Sequence, residues 1–471
     1  CAQALDRAWK LLLLNQFHDI LPGSSISQVY RDSQRDYEVI VKLAEAVTAA
    51  ALQDLTNGAH GIGGSPTDAI LFNTLAQTRQ EVVELPSQEL RLVTVPPCGY
   101  TRITQAEPAD LPPEIHPVSV SAIAGKIVLE NGIVRLTITP DGCISSLEDL
   151  QSKHQFLSQP GNELHLLRDL PNRWNAWDIE ASALEDYDIP DIGASLEITV
   201  SNPLRATVVV KRKFNKSTLT QSITLNAASA RIDIAHTLDW HERDTVLKLS
   251  FPTNIQTDKV SCGIQHGYVT RPTNRNTSWE RAKFEMCAQG WIDLSESQRG
   301  IAFLNDGRFG HDIRDGRVRI SLAKGARAPA PDADIGIHEF TLAIHPHEGR
   351  GVQDGLPFQS ALALGSPITI TQPTASSKTK PMPPKASWIN FGNSPISLEA
   401  LKISEDNRGV ILRVNEITGG TNRSELHLGV PAILGPEVDL LERPIDSSQQ
   451  GANKELELRP FDLRTFELRA E

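Results

Sequence analysis

Two adjacent polar residues, His18 and Asp19, follow the most apolar run in the N-terminal part of the sequence. The run LLLL at residues 11–14 leads into them, and a Pro-Gly break at 22–23 comes directly after. A neutral imidazole is a good ligand for zinc or cobalt, and a carboxylate beside it can orient a bound molecule. The pair equally suits a helix C-terminus, where a protonated imidazole faces the helix dipole and the carboxylate caps the next turn. The spacing alone leaves both interpretations open.

A complete metal site needs about three or four ligands, and no tight cluster in the sequence supplies them. The sequence contains neither H-E-x-x-H nor C-x-x-C. His236, Asp239, His241 and Glu242 look metal-like, but strand alternation sends 239 and 241 to one face and 240 and 242 to the other. We interpret this group as the charged end of a strand.

Two further segments carry groups that suit the binding of sugars or other hydroxyl-rich molecules. In the segment 171–178, PNRWNAWD, Trp174 and Trp177 form either a stacking platform or anchors of the loop in a hydrophobic core. The segment 267–285 does not resemble a strand and is rich in Arg, Asn and Thr. It is either a binding loop or a solvated loop held by salt bridges. Its candidate hydroxyl-binding residues are Arg271, Arg275 and Asn276.

The elements that must position His18 and Asp19 are helical. Apolar residues recur at helical spacing in two stretches that a Leu-Pro-Gly break at 21–23 separates. Ser25 and Gln28 predict a capping box at the start of the second helix, and Asn57-Gly58 predicts its end. Two helices of this length cannot bury both apolar faces by themselves, so they need a third helix or another domain.

The remaining sequence changes to the period of two that is typical of strands, with turn signals between short runs. We predict a helical segment at 1–58, a small β domain at 68–117, a large antiparallel β-sandwich at 118–371 and a C-terminal β domain at 387–471. Gly-rich residues 59–68 and Pro/Ser/Lys-rich residues 372–386 are predicted linkers. The sandwich is predicted to contain ten strand runs, at 127–129, 134–139, 196–200, 206–213, 222–225, 232–238, 246–251, 301–304, 318–322 and 340–344.

Composition limits the function classes. The 471 residues are 39% hydrophobic and carry a formal net charge of −12, which argues against nucleic-acid and anionic-membrane partners. No run approaches the roughly 20 apolar residues of a membrane span. Five widely spaced cysteines without C-x-x-C favour a reducing compartment. The sequence opens with Cys1 in helical periodicity and without Met, which predicts that residue 1 is a cut or the edge of a gene fragment.

Several long motifs together resemble one family, the class II α-mannosidases of glycoside hydrolase family 38, and most nearly the C-terminal half of its cytosolic and bacterial branch. The resemblance covers essentially the whole chain. The matching motifs are NQFHDILPGSSI at 15–26, LFNTLAQTRQEVVELP at 71–86, DGCISSLED at 141–149, PNRWNAWDIE at 171–180, DWHER at 239–243, RPTNRNTSWERAKFE at 271–285, AFLNDGRFGHDI at 302–313 and APAPDADIGIHEF at 328–340.

The resemblance implies a fold and a mechanism. It implies the end of a three-helix bundle at 1–58 followed by antiparallel β-sandwich domains, the largest resembling mutarotase-like sandwiches. It also implies retaining hydrolysis of α-mannosides, in which an Asp nucleophile and a carboxylic acid lie about 5–5.5 Å apart. In the family both groups belong to an N-terminal barrel that has no counterpart in these residues.

The resemblance also assigns roles to the opening pair. His18 matches a ligand of the family's divalent metal, usually zinc with cobalt as the alternative, and Asp19 matches a residue that contacts the sugar. No catalytic residue is carried over onto this chain, and Lys324 stands where relatives commonly have Arg. The expected partners are a mannose-containing oligosaccharide and the missing barrel. Family members often form dimers or tetramers, so a homo-oligomer is also among the expectations.

Three functions follow as hypotheses. The chain is part of a cytoplasmic α-mannosidase whose barrel lies elsewhere, a non-catalytic carbohydrate-binding sandwich that uses the Trp174/Trp177 loop, or an inactive fragment. Turnover of an aryl α-mannoside, with and without the barrel segment and zinc, separates these hypotheses.

Overall fold

The computed structural model describes residues 2–56, 68–104, 111–372, 382–445 and 455–470. Most of the predicted linkers at 59–68 and 372–386 lies outside these ranges, as does the predicted helix stop at 57–58. The described chain is mainly β with a helical N-terminal segment, which confirms the predicted fold class.

Two antiparallel helices form the N-terminal segment: α1 (Ala2–Asn15) and α2 (Ser27–Thr56). The first helix ends earlier than the Leu-Pro-Gly break predicts, because turns occupy residues 16–23. At its last residue, Asn15 donates through Nδ2 to Leu11 O at 2.9 Å and to Asp36 Oδ2 on α2 at 3.0 Å. This bridge fixes the point at which the chain leaves α1.

The predicted capping box is wrong. The Ser25 backbone N–H donates to the Tyr30 hydroxyl at 2.5 Å. The Gln28 amide donates to Asp32 at 3.0 Å and does not turn back to Ser25. The Tyr30 ring therefore organises the start of α2, and the helix begins at Ser27.

Four strands follow the helices: β1 (Ala69–Asn73), β2 (Arg79–Glu84), β3 (Leu90–Val95) and β4 (Gly99–Ile103). Strands β2 and β3 form a hairpin, whereas β1 and β4 lie at the centre of a four-stranded sheet. The two outer strands of that sheet come from residues 369–371 and 385–387. The second of these strands begins at Lys385, so the linker predicted at 372–386 is wrong for its last two residues, which pair with β4.

The central region contains nineteen strands. They are β5 (Ser119–Ile123), β6 (Lys126–Glu130), β7 (Val134–Ile138), β8 (Ile144–Asp149), β9 (Glu163–Arg168), β10 (Tyr187–Asp188), β11 (Ala194–Asn202), β12 (Arg205–Phe214), β13 (Ser217–Asn226), β14 (Ile232–Trp240), β15 (Thr245–Pro252), β16 (Lys259–Ile264), β17 (Gly267–Pro272), β18 (Met286–Cys287), β19 (Trp291–Ser295), β20 (Arg299–Asn305), β21 (Gly310–Arg314), β22 (Arg317–Lys324) and β23 (Gly336–Glu348).

These strands build an antiparallel sandwich. Nine of them form one sheet in the order β11-β12-β13-β14-β23-β20-β19-β16-β17, and six form another in the order β10-β9-β15-β22-β21-β18. Alternate residues point inward, as along β13, where Leu219, Ile223 and Leu225 are fully buried. They share one hydrophobic core with Leu249 and Ile320 of the six-stranded sheet.

Helices in this region are few and short. They are α3 (Ser278–Ala282) and α4 (Leu356–Gly365), with single 3₁₀ turns at Ala181–Leu184 and Gly351–Asp354. The segment 267–285, which the sequence predicts as irregular, in fact begins with the edge strand β17 and continues into α3. That prediction is therefore wrong for its first six residues.

The last ten strands are β24 (Thr369–Thr371), β25 (Lys385–Ser387), β26 (Ile389–Asn390), β27 (Ile396–Ile403), β28 (Val410–Glu416), β29 (Asn422–Glu425), β30 (His427–Leu428), β31 (Ala432–Val438), β32 (Glu455–Leu458) and β33 (Leu463–Ala470). A four-stranded sheet, β27-β28-β33-β31, carries the C-terminal unit. Leu412, Val414 and Phe391 lie in its separate core. A turn at 459–462 separates the last two strands, β32 and β33.

Candidate functional site

Asp19 lies in the turn segment between α1 and α2 and is held from two directions. Its Oδ1 accepts a hydrogen bond from Ser24 Oγ at 3.0 Å and one from Trp177 Nε1 at 3.3 Å. The Asp19 carbonyl also accepts from the Ser24 backbone N–H at 3.2 Å. The carboxylate is half-buried, so it is fixed in position while it still faces solvent.

His18 has the opposite character. Its side chain is exposed, and its ring contacts the neighbouring Phe17 ring at a tilt of 39° with 4.4 Å between centroids. In the ranges that the structure describes, no hydrogen bond to its ring nitrogens is formed. An exposed imidazole with both nitrogens accessible suits a metal ligand chemically.

The bond from Trp177 brings together two sequence motifs that are 158 positions apart. Trp174 and Trp177 stand at 85° to each other with ring centroids 5.9 Å apart. Their rings are 66% and 51% exposed, respectively. Of the two interpretations open at the sequence level, the structure contradicts anchors buried in the sandwich core and is compatible with a stacking surface.

A cleft of about 360 Å³ opens beside this contact. The cations on its wall are Arg308 and Lys324, and its carboxylates include Glu285 and Asp334. The Lys324 backbone N–H donates to Asp334 Oδ2 at 3.0 Å. Because both acidic and basic groups line it, the cleft suits a neutral polar ligand with both donors and acceptors.

Two oxygen-bearing groups fix the Lys324 side chain in the cleft wall. Its Nζ donates to the Asp178 carbonyl and lies 3.4 Å from Asp169 Oδ2. Asp169 is fully buried, and this burial raises the pKa of its carboxyl group, although Lys324 opposes the rise. Lys324 thus ties strand β22 to the Trp177 loop, and its ammonium group sits between that loop and a buried carboxylate.

Of the segment 267–285, only Glu285 lines this cleft. Its Oε1 accepts from the fully buried Lys248, which also donates to Asp312 Oδ2 at 2.7 Å. Arg319 donates to the other Asp312 oxygen at 2.8 Å. Sequence reasoning missed this network, because no local spacing brings together residues from β15, β21 and β22.

The other residues that the sequence singles out lie apart from the cleft. Arg271, Arg275 and Asn276 do not line it, and Arg275 donates to the Phe284 carbonyl at 3.1 Å. His236 is buried and bonds Gln221 at 3.0 Å, whereas the exposed His241 pairs with Asp239 at 2.7 Å. This is the charged strand end that the alternation predicts.

The part of the chain that the structure describes contains no group of three or more His, Cys, Asp or Glu residues arranged to hold a metal ion. Within the same ranges, none of the helices combines the length and apolarity that a bilayer crossing requires. Cys98, Cys143, Cys262 and Cys287 are free thiols.

Family profiles match three parts of the chain. Residues 129–332 match the glycosyl hydrolases family 38 C-terminal domain, residues 1–55 match the α-mannosidase middle domain, and residues 395–466 match the family 38 C-terminal β-sandwich domain. The chain belongs to family 38 of the glycosyl hydrolases and corresponds to its middle and C-terminal domains.

Curated relatives extend over nearly the whole chain. Human α-mannosidase 2C1 is 34% identical over 94% of this chain and 43% of its own length. The mouse protein of the same name is 32% identical over 99% of this chain and 45% of its own length. Yeast α-mannosidase is 27% identical over 99% and 44%, respectively. The chain therefore spans less than half the length of each of these relatives.

A solved structure supports the fold. The crystal structure of an α-mannosidase from Enterococcus faecalis V583 superposes with a TM-score of 0.81 at 17% identity, over 99% of this chain and 63% of that one.

Proposed function

We propose that these residues form the C-terminal portion of a retaining, metal-dependent α-mannosidase that removes terminal α-D-mannose from glycans. The main observation that supports this proposal is the placement of Asp19. Ser24 and Trp177 hold its carboxylate at the edge of a polar cleft, beside the exposed His18. The nucleophile and the acid/base belong, in this proposal, to a barrel outside these residues.

Asp19 is the substrate-binding residue of the proposal. A fixed carboxylate accepts hydrogen bonds from two sugar hydroxyls at the cost of little ordering, because its own rotamer is already set. The Ser24 hydroxyl and the indole N–H of Trp177 position Asp19, because their hydrogen bonds hold its carboxylate in place. The two barrel carboxyls would stand about 5–5.5 Å apart for the retaining reaction.

His18 is the proposed metal ligand, through a neutral ring nitrogen, with zinc preferred and cobalt as the alternative. Its exposed ring, free of internal hydrogen bonds in the described chain, fits that role. A bound divalent metal would act as a Lewis acid toward sugar hydroxyls. One neutral ligand cannot hold such an ion tightly, so the remaining ligands are proposed to come from the barrel.

Exposed apolar residues on the helical segment support the proposal that a further part of the protein packs against it. Leu13, Leu14 and Phe17 are each 59% exposed, as is Trp9. Monomeric soluble proteins rarely leave a contiguous apolar surface of this kind uncovered. We propose that the third helix of the bundle and the barrel cover it, and that His18 and Asp19 then meet the barrel carboxyls at this boundary.

A cytoplasmic location is also proposed. It rests on the free thiols and on the resemblance to the cytosolic branch. Burial raises the pKa of the Cys98 thiol to about 12, which disfavours its reactive thiolate form. A homo-oligomer stays a proposal from the resemblance alone.

One observation favours a second candidate function, a non-catalytic carbohydrate-binding sandwich: the indoles of Trp174 and Trp177 are exposed side by side. Hydrolysis of an aryl α-mannoside decides between the two. We expect turnover only when the chain is combined with its barrel segment and zinc. Absence of turnover in the combined protein, together with retained sugar binding, would favour the second candidate.

Metal content tests the His18 assignment separately. In the combined protein, His18→Ala should abolish stoichiometric zinc, whereas the control His427→Ala removes an exposed imidazole of the C-terminal unit and should leave zinc unchanged. Normal zinc in His18→Ala would refute the assignment.

A further inference from the structure

The exposed corner formed by Trp174 and Trp177 is built in an unusual way. Trp174 has a φ of +59°, in the left-handed region that bulky side chains rarely adopt. Its carbonyl accepts hydrogen bonds from the backbone N–H groups of Trp177 at 2.8 Å and Asp178 at 2.9 Å. This closed turn places the two indoles on the same side of the loop.

The strained position would suit glycine better. A non-glycine residue in this conformation costs on the order of 1–3 kcal/mol. A largely exposed indole regains little of that cost through burial. The presence of tryptophan there is therefore poorly explained by stability, and strain of this kind concentrates at functional positions.

The loop is held in place from the sandwich side. Lys324 donates to the Asp178 carbonyl, the Asn175 side chain accepts from the Arg327 backbone N–H, and Trp177 donates to Asp19. The indole edge of Trp177 is thus fixed while most of the corner stays open. A rigid aromatic surface of this kind contacts a ligand at little entropic cost.

The charges near the corner and the polarity of its indole faces indicate which class of ligand it would bind. The Asp19 carboxylate accepts from Trp177 at the corner, and the Lys324 ammonium group donates to the Asp178 carbonyl of the same loop. Because charges of both signs lie near the corner, it favours neither an anionic nor a cationic ligand. The negatively polarised indole faces favour the positive edge of a ligand's C–H groups, and the Asp19 carboxylate accepts hydroxyl protons. A neutral oligosaccharide meets both requirements.

We propose that the Trp174–Trp177 corner is an aromatic platform that stacks the sugar ring adjacent to the mannose bound by Asp19. This proposal rests on the proposed function, because it takes Asp19 as the sugar-binding carboxylate. Both indoles and Asp19 belong to this chain, so the platform needs no other segment to bind a saccharide.

The test compares a disaccharide with a monosaccharide. The affinities of the chain for an α-linked mannobiose and for methyl α-mannoside are measured by NMR titration of the indole N–H signals. The parent chain should bind the disaccharide about fivefold more tightly, which corresponds to one aromatic contact. Trp174→Gly keeps the backbone conformation, removes the ring and should lower the disaccharide affinity by about the same factor, with a smaller loss for the monosaccharide.

The matched control is Trp279→Ala, which removes an indole on α3 that is 79% exposed and should change neither affinity. Equal affinities for the two sugars in the parent, no binding of either, or an unchanged ratio in Trp174→Gly would each overturn the platform. Asp19→Asn tests the proposed sugar-binding role of Asp19 separately from the platform. If this variant still binds the monosaccharide as tightly as the parent, the proposed role of Asp19 is wrong. The ratio of the two affinities in Trp174→Gly reports only on the platform.

Discussion

At the scale of single residues, the site depends on one hydrogen bond that reaches Asp19 from a loop far away in the sequence. The distance from Trp177 Nε1 to Asp19 Oδ1 is 3.3 Å, and the pair is exposed. Hydrogen bonds to charged groups contribute about 1.5–3 kcal/mol when they are well formed, so this longer bond should contribute at the lower end. Its effect should appear in catalysis more than in stability.

Trp177→Phe removes the donor and keeps an aromatic ring. In the protein combined with its barrel, we expect kcat/KM for an aryl α-mannoside to fall about tenfold. Trp279→Phe, in an exposed position on α3, is the control. An unaltered kcat/KM in Trp177→Phe would show that the bond does not position Asp19.

Lys248 is the second residue whose removal should have a specific result. It is fully buried between Glu285 and Asp312. Lys248→Met leaves these carboxylates without their shared cation, which should cost about 3–5 kcal/mol of unfolding free energy. Lys402→Met, which breaks a more exposed pairing with Glu405 and Glu442, should cost about 1 kcal/mol or less. Equal losses in the two variants, measured by urea unfolding, would contradict this.

At the scale of elements, alternation predicted about half of the sandwich strands and none of their partners. Each of the ten predicted runs overlaps an observed strand, as in β13, where Leu219 and Ile223 alternate with polar residues, and the run 134–139 extends one residue beyond β7. The other nine strands of the region have no predicted run. Helix α4 was missed, although Gly355 and Pro357 mark its start, because its short apolar run resembles a buried strand.

Other features follow only from tertiary structure. Strands β24 and β25 have three residues each and gain their stability from pairing with β1 and β4. Helix α1 ends at Asn15, where a side-chain bond to Asp36 on α2 fixes the exit of the chain. The contact between Trp177 and Asp19 joins positions too distant for any local pattern to reveal, although both motifs were recognisable separately.

The exposed apolar residues of the helical segment lead to a testable prediction. Leu13→Gln combined with Phe17→Gln changes two exposed residues, so the unfolding free energy of the chain should change by less than about 1 kcal/mol. Association with the barrel segment should weaken by at least tenfold, since an apolar contact is lost. Leu412→Gln, in the buried C-terminal core, should instead destabilise the chain. Unchanged association in the double variant would show that this face is not covered by the barrel segment.

At the scale of the whole molecule, buried histidines make stability depend on pH. Burial lowers the pKa of His236 and of His345 to about 3 and that of His311 to about 4. In the unfolded chain a histidine has a pKa of about 6.5. Below that pH the unfolded chain binds protons that the folded chain does not, so stability present above about 6.5 is lost as the pH falls toward the folded pKa values.

His236→Gln should remove one of the protons that the unfolded chain binds and the folded chain does not. Between about pH 6 and pH 4 the slope of unfolding free energy against pH should become shallower by roughly 1.4 kcal/mol per unit. His427→Gln changes an exposed residue and should leave the slope as it is. The measurement is urea unfolding at several pH values, and a slope in His236→Gln equal to that of the parent would contradict the prediction.

We propose that this chain supplies the metal ligand His18 and the sugar-binding Asp19 to an active site completed by a barrel. The most direct measurement is the rate of aryl α-mannoside hydrolysis by the chain alone, by the barrel segment alone and by the two combined with zinc. We predict turnover only in the combination, with a loss of at least a hundredfold in Asp19→Asn. Turnover by the chain alone, or full activity of the combination after Asp19→Asn, would contradict the claim.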